Sequence, residues 1–191
     1  QVICRVKFGE TEAGRFLSHL DMLRAWQRAI SRSALPLSYS QGFNKHPKLS
    51  FSGALPVGLT SESEYVDIEF DYAINLAEIS ARLKENLPPA LKIYDLKELT
   101  KADPAIMSLV ERAGYQAKLQ YQDAIDDELA QSVRNNILAL DILEVSRRKK
   151  NSRTEKKVVI RPWIYDLEAK TENDMLILDF IVQNGNDGNV K

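Results

Sequence analysis

The 191-residue chain holds one cysteine, Cys4, and two histidines, His19 and His46. A single thiol makes no internal disulfide, and with two imidazoles it falls short of the four ligands of a structural zinc site. An iron–sulfur cluster held by several thiolates is excluded outright. No apolar run approaches the ~18 residues of a membrane-spanning helix, so none is expected. The opening "QVICRVKFGE" lacks the charged region and long apolar core of a signal peptide. It also lacks an initiator Met, which reads as a fragment or a processed chain. The absence of disulfides and targeting signals suits the cytoplasm. There is no Walker loop, no G-x-G-x-x-G, no nucleophile elbow and no paired-carboxylate signature, so no cofactor or metal is expected.

What is present is uneven charge. The net charge is only -1, yet residues 1–50 hold eight basic side chains against Glu10, Glu12 and Asp21. Residues 61–71 reverse this with Glu62, Glu64, Asp67, Glu69 and Asp71. Residues 144–161 again carry eight basic side chains, against Glu144 and Glu155. A near-neutral total therefore contains two basic patches suited to a polyanion.

Hydrophobic periodicity orders the elements. "VICRVKFGE" alternates as a strand, and "SHLDMLRAWQRAISRSA" reads as a helix capped by Ser18, with Leu20, Leu23, Trp26 and Ile30 as its apolar face. "KLSFSGAL" and "SEYVDIEF" are strand-like. "NLAEISARLKENL" is a helix capped by Asn75 and stopped by Pro88 and Pro89, and "ALKIYDLKEL" is a strand. The order β-α-β-β-α-β predicts an α+β fold whose residues 1–99 form a ferredoxin-like unit. Residues 100–108, "TKADPAIMS", read as a linker. Residues 109–191 offer a strand, the helix "DAIDDELAQSVRNNILA", and strands in "LEVSRRKK", "KKVVIRPWIYDLEAK" and "NDMLILDFIVQ". They read as a second ferredoxin-like unit, incomplete because no second helix follows.

Two constellations carry chemistry. Arg24, Arg28 and Arg32 recur every four residues along one helix stripe, which suits a phosphate backbone or simply a solvated face. The irregular segment "LSYSQGFNKHPKLSF" offers Tyr39, Phe43 and Phe51 for stacking, and Ser40, Gln41, Asn44 and His46 for base edges. Lys45 and Lys48 would meet phosphates there, and Gly42 supplies a tight bend. "SRRKKNSRTEKK", with Arg147, Arg148, Lys149 and Lys150, adds a basic hairpin for electrostatic attraction to nucleic acid. His19 and His46 would be the imidazoles of a metal-free RNA endonuclease, but no nucleophile–base spacing supports catalysis, and a non-catalytic chain is favoured.

"RFLSHLDMLRAWQRAI" followed by "LPLSYSQGFNKHPKLSFSGALPVGLTSESEYVDIEF" resembles the radical-SAM-associated domain of unknown function, which is fused to a radical-SAM protein or encoded beside one. The resemblance is nearly continuous from Arg15 to Phe70 and looser through "LEVSRRKKNSRTEKKVVIRP". It implies a helper of a radical-SAM partner, in a tRNA or rRNA context. With Cys4 alone the chain lacks the three cluster-ligating cysteines of such an enzyme. The tandem unit is also similar to the RAMP proteins of CRISPR systems, which bind RNA. The expected function is a non-catalytic RNA-binding or substrate-docking module, with Arg15, His19, Arg24, Arg28 and the 39–48 loop at the interface. A protein–protein adaptor docking through Leu37, Phe43 and Phe51 is the main alternative, and the endonuclease the second.

Overall fold

The computed structural model describes residues 2–100, 102–121, 124–148, 155–185 and 188–190. It is a mixed α+β protein with antiparallel sheets, divided into two compact units, Gln1–Leu109 and Val110–Lys191.

In the first unit, alternation dictates which faces are buried. Strand β1 (Val2–Glu10) turns Cys4, Val6 and Phe8 to one side, and β3 (Ser61–Phe70) turns Val66, Ile68 and Phe70 to the same side. The register places Cys4 opposite Ile68 and Val6 opposite Val66. With β2 (Leu49–Phe51) and β4 (Leu91–Leu99) the sheet order is β2-β3-β1-β4, every neighbour antiparallel. Helices α1 (His19–Arg32) and α2 (Leu76–Asn86) cover this face with Met22, Trp26, Ala29 and Ile30, and with Ile79 and Leu83. Cys4 is fully buried, which pushes its thiol up to about 12.

Ser18 starts α1 as expected: its hydroxyl accepts from the Asp21 N–H at 3.2 Å and donates to the Asp21 carboxylate at 2.6 Å. That hydroxyl holds the Asp21 carboxyl below its ordinary range. The buried stripe is Met22-Trp26-Ala29-Ile30, and Leu20, expected inside, is 53 % exposed because it lies more than a third of a turn off the sheet-facing line. The two helices finish each other. Arg32 of α1 donates to the Asn86 carbonyl at 2.5 Å, while Arg82 of α2 donates to the Ala34 carbonyl at 3.2 Å. Cations thus satisfy carbonyls that a helix end leaves unpaired.

Gly9 sits at the register shift of β1 against β3, and a Cβ there would lie 2.4 Å from the Ser61 carbonyl oxygen and 2.8 Å from the Tyr94 ring. Gly9→Ala is expected to lower stability by about 1–3 kcal/mol, read by urea denaturation. Gly114→Ala, whose Cβ meets nothing within 4 Å, is the control.

Residues 102–109 are not a free tether. Arg5 holds Asp67 with two bonds of 2.7 and 2.8 Å on the outer sheet face and donates to the Pro104 carbonyl at 2.9 Å. Asp103 accepts from the Thr100 N–H and hydroxyl, which lowers its pKa to about 2. The turn α3 (Ile106–Leu109) buries Ile106 beside β2 and β3.

The second unit comprises β5 (Arg112–Gln120), α4 (Asp127–Leu138), the ribbon β6 (Glu144–Arg148) and β7 (Glu155–Val159), then β8 (Ile164–Glu172), β9 (Met175–Gly185) and β10 (Gly188–Asn189). Central β9 pairs antiparallel with β5 and β8, and β10 folds back on its end. The continuous strand expected from Lys156 to Lys170 breaks into β7 and β8 at Arg161–Trp163, where Pro162 has no N–H to offer a ladder. Helix α4 starts later than its pattern suggests, because the Asp126 carboxylate caps the Leu129 N–H at 2.8 Å. It lies along the edge of β8. Asp127 accepts from the Thr171 N–H and hydroxyl, Gln131 donates to the Ala169 carbonyl, and Arg134 donates to the Leu167 carbonyl. One helix face with spacing i, i+4, i+7 thereby satisfies alternate residues of an otherwise open strand edge.

Candidate nucleic-acid interface

The segment between α1 and β2 is an irregular hairpin rooted on β3. Leu37 bridges to Phe70 and Tyr39 to Pro47. The Ser38 N–H donates to the Glu69 carbonyl at 2.9 Å and the Ser38 hydroxyl to the Asp71 carboxylate at 2.7 Å. Higher up, the Ser40 N–H donates to the His46 carbonyl, and the His46 N–H returns to the Ser40 hydroxyl at 3.0 Å. The base is thus fully bonded, and the tip, Gln41 to Lys45, stands beyond it. Gly42 makes the reversal at φ 134, a conformation that side-chain-bearing residues rarely adopt. Gln41 to His46 are all exposed, and Phe43 is 109 % exposed, so its ring touches almost nothing of the protein. Tyr39 is 42 % exposed at the side of the hairpin.

Other expected loop contributors are occupied. Phe51 is part of the core, edge-on to Phe8 and Trp26 at 6.2 and 6.4 Å, because its register opposite Val66 turns it to the helix-covered face. Leu37 is buried for the same reason, opposite Phe70. Lys48 is held by Glu69 at 2.9 Å, so a phosphate would have to displace a carboxylate.

On α1, Arg24 lies 3.7 Å from Asp21 in a loose ion pair, and Arg28 makes no hydrogen bond or ion pair among the described residues. Both are exposed, and with Gln27, Ser31 and Arg32 they line an open hollow on the outer side of the helix. Gln27 and Ser31 were legible as partners, since they sit three and seven residues from Arg24 on the same face. Arg15 instead laces two loops: its Nε donates to the Gly58 carbonyl at 2.8 Å, and the Gly58 N–H donates to the Arg15 carbonyl at 2.7 Å. His19 packs edge-on to Phe51 at 6.1 Å with Nδ1 buried and without a partner among the described residues, so it faces the core rather than the loop tip. No hydrogen bond joins it to His46.

In the ribbon, Arg147 is half-buried and donates to the backbone carbonyl and side-chain oxygen of Asn189, which fastens β6 to β10. It is a structural clamp. The Arg148 backbone pairs with Glu155, while Lys149 and Lys150 lie outside the described residues. Lys156 and Lys157 on β7 are exposed, the latter 3.4 Å from Glu144. Among the described residues no group of three His, Cys, Asp or Glu side chains is placed to hold a metal ion. Among the described residues no helix is long and apolar enough to cross a membrane.

A protein-family model, described as an uncharacterized protein conserved in bacteria (DUF2344), matches residues 4–191. The chain belongs to the DUF2344 family. Among curated proteins none matches it. This DUF2344 chain presents one bonded hairpin with a bare aromatic tip, and one helix whose exposed face carries Arg28 and the loosely paired Arg24.

Proposed function

We propose that the chain is a non-catalytic RNA-binding module that serves a radical-SAM enzyme in tRNA or rRNA modification or processing. The observation that carries this reading is Phe43. An apolar ring wholly in water, on a glycine-made turn with a fully bonded base, is costly unless something stacks on it. Its neighbours Gln41, Asn44, Lys45 and His46 supply donors and acceptors of the kind that read unpaired base edges. Arg24 and Arg28 then serve phosphates as bidentate forks.

Topology supports the same reading. The first unit's order β2-β3-β1-β4 fits a ferredoxin-like fold, with Pro104 lying against its outer sheet face. That leaves loops and helix rather than the sheet for a nucleic acid. In the second unit β5, α4, β8 and β9 repeat the first four elements, with order β5-β9-β8 against β1-β3-β2. The basic ribbon therefore occupies the same connection as the aromatic hairpin, and the second unit reads as an incomplete copy of the first.

The test is fluorescence-anisotropy titration of tRNA and rRNA fragments over a salt series. Phe43→Ala should weaken binding by about 1–3 kcal/mol, roughly fivefold to 150-fold, with the salt slope unchanged, as for a lost stack. Arg24→Glu/Arg28→Glu should weaken it and reduce the salt slope by about 2. Absence of wild-type binding at low salt overturns the proposal. In that case the exposed Phe16, Leu20, Val57 and Leu59 favour the adaptor reading, with salt-tolerant capture of the radical-SAM protein.

A further inference from the structure

Sheet edges with unpaired N–H and C=O groups attract other strands, and proteins protect them. Three edges here are protected. The outer edge of β4 carries Lys92, Asp95, Lys97 and Glu98; β2 is three residues long; and β8 is plugged by α4. Strand β5 is different. It runs for nine residues, and among the described residues no strand pairs with the edge that faces away from β9. Arg112, Gly114, Gln116, Lys118, Leu119 and Gln120 are exposed along it. In the first unit the corresponding strand, β1, has β4 antiparallel on that edge, whereas the second unit has no such strand among the described residues.

We infer that β5 pairs antiparallel with β5 of a second copy of this chain, about a twofold axis through Gln116. The sequence "RAGYQAKLQ" is self-complementary in that register. Ala113 falls opposite Leu119 of the second copy, and Tyr115 opposite its Ala117. These four share the face on which β9 presents Leu176, Leu178, Phe180 and Val182, so the apolar layer continues across the axis. On the other face Arg112 falls opposite Gln120, Lys118 opposite Gly114, and Gln116 opposite itself. No two like charges are directly opposed. The pairing joins β8-β9-β5 of each copy into one six-stranded sheet, and being isologous it closes on a dimer.

Gly114 gives a direct test, because a Cβ there meets nothing within 4 Å and its backbone tolerates any side chain. In the paired register a side chain at 114 stands about 5 Å from Lys118 of the second copy, at two places per dimer. Sedimentation equilibrium of the full chain should show a reversible dimer. Gly114→Glu should tighten it about fivefold to tenfold and Gly114→Lys loosen it similarly, with the gap between them narrowing as salt rises. A wild-type chain that stays monomeric at about 100 µM, well above typical specific dissociation constants, overturns the inference. So does a dimer that both substitutions shift in the same direction, since that reports strand propensity rather than this register.

Discussion

Trp26→Ala should destabilise the first unit by about 3–5 kcal/mol, the range for deleting a fully buried indole. Trp26 is wholly inaccessible to solvent and sits edge-on to Phe8 at 5.0 Å and near Phe51 at 6.4 Å. It therefore joins α1, β1 and β2, the elements that flank the hairpin root. Its Nε1 has no hydrogen-bond partner among the described residues, so the indole gains nothing polar from its position. Trp26→Phe should for that reason cost far less, about 1–2 kcal/mol, since it loses volume but also removes an unsatisfied donor. Chemical denaturation of the two variants, followed by far-ultraviolet circular dichroism, measures the difference. Equal costs would mean that the Nε1 donor is hydrogen-bonded in the folded chain and that its loss, common to both variants, outweighs the difference in volume.

The contrast between Phe43 and Phe51 shows where the sequence stops being informative. Both belong to one irregular stretch, and nothing local separates them. Phe51 is half-buried against the core because β2 pairs with β3 so that residue 51 faces Val66, and Phe43 is bare because Gly42 reverses the chain before it can reach the sheet. For Phe51 the deciding partner, Val66, is 15 residues away in sequence. The same holds for the lysines: Lys48 finds Glu69 one strand over, whereas Lys45 lies at the tip. Local signals did better. Ser18 and Asn75 cap their helices through bonds that their residue types announce, and the alternation Val66, Ile68, Phe70 locates the buried face of β3. The shortness of β2 was obscured by the apolar residues of "GALPVGL", which leave the sheet at a turn containing Pro56 and Gly58. Arg147 looked like a phosphate ligand for the same reason that it makes a good clamp: a guanidinium grips any carbonyl within reach, and Asn189 is 42 residues away in sequence.

Glu10→Gln should stabilise the chain at pH 8.5 and leave it unchanged near pH 4. Glu10 ends β1 between Ser61 and Leu91 and is buried, with no basic side chain bonded to it among the described residues. Burial, and then the charge of Glu64, raise its pKa from 4.5 to about 7. The folded carboxyl thus holds its proton more tightly than the unfolded one. Below the unfolded value both states are protonated and the residue is neutral in its effect. As pH rises towards 7 the unfolded chain ionises first, so folding becomes costlier, and above 7 the full penalty applies, of the order of 3 kcal/mol. Glutamine keeps the shape and hydrogen-bonding capacity of the protonated acid without the charge. Urea titrations of both proteins from pH 4 to pH 9 should therefore diverge between about pH 5 and 7 and run parallel above. A difference that is constant across this range would mean that the Glu10 carboxylate is solvated in the folded chain, and that the end of β1 is open to water on the side of Glu64.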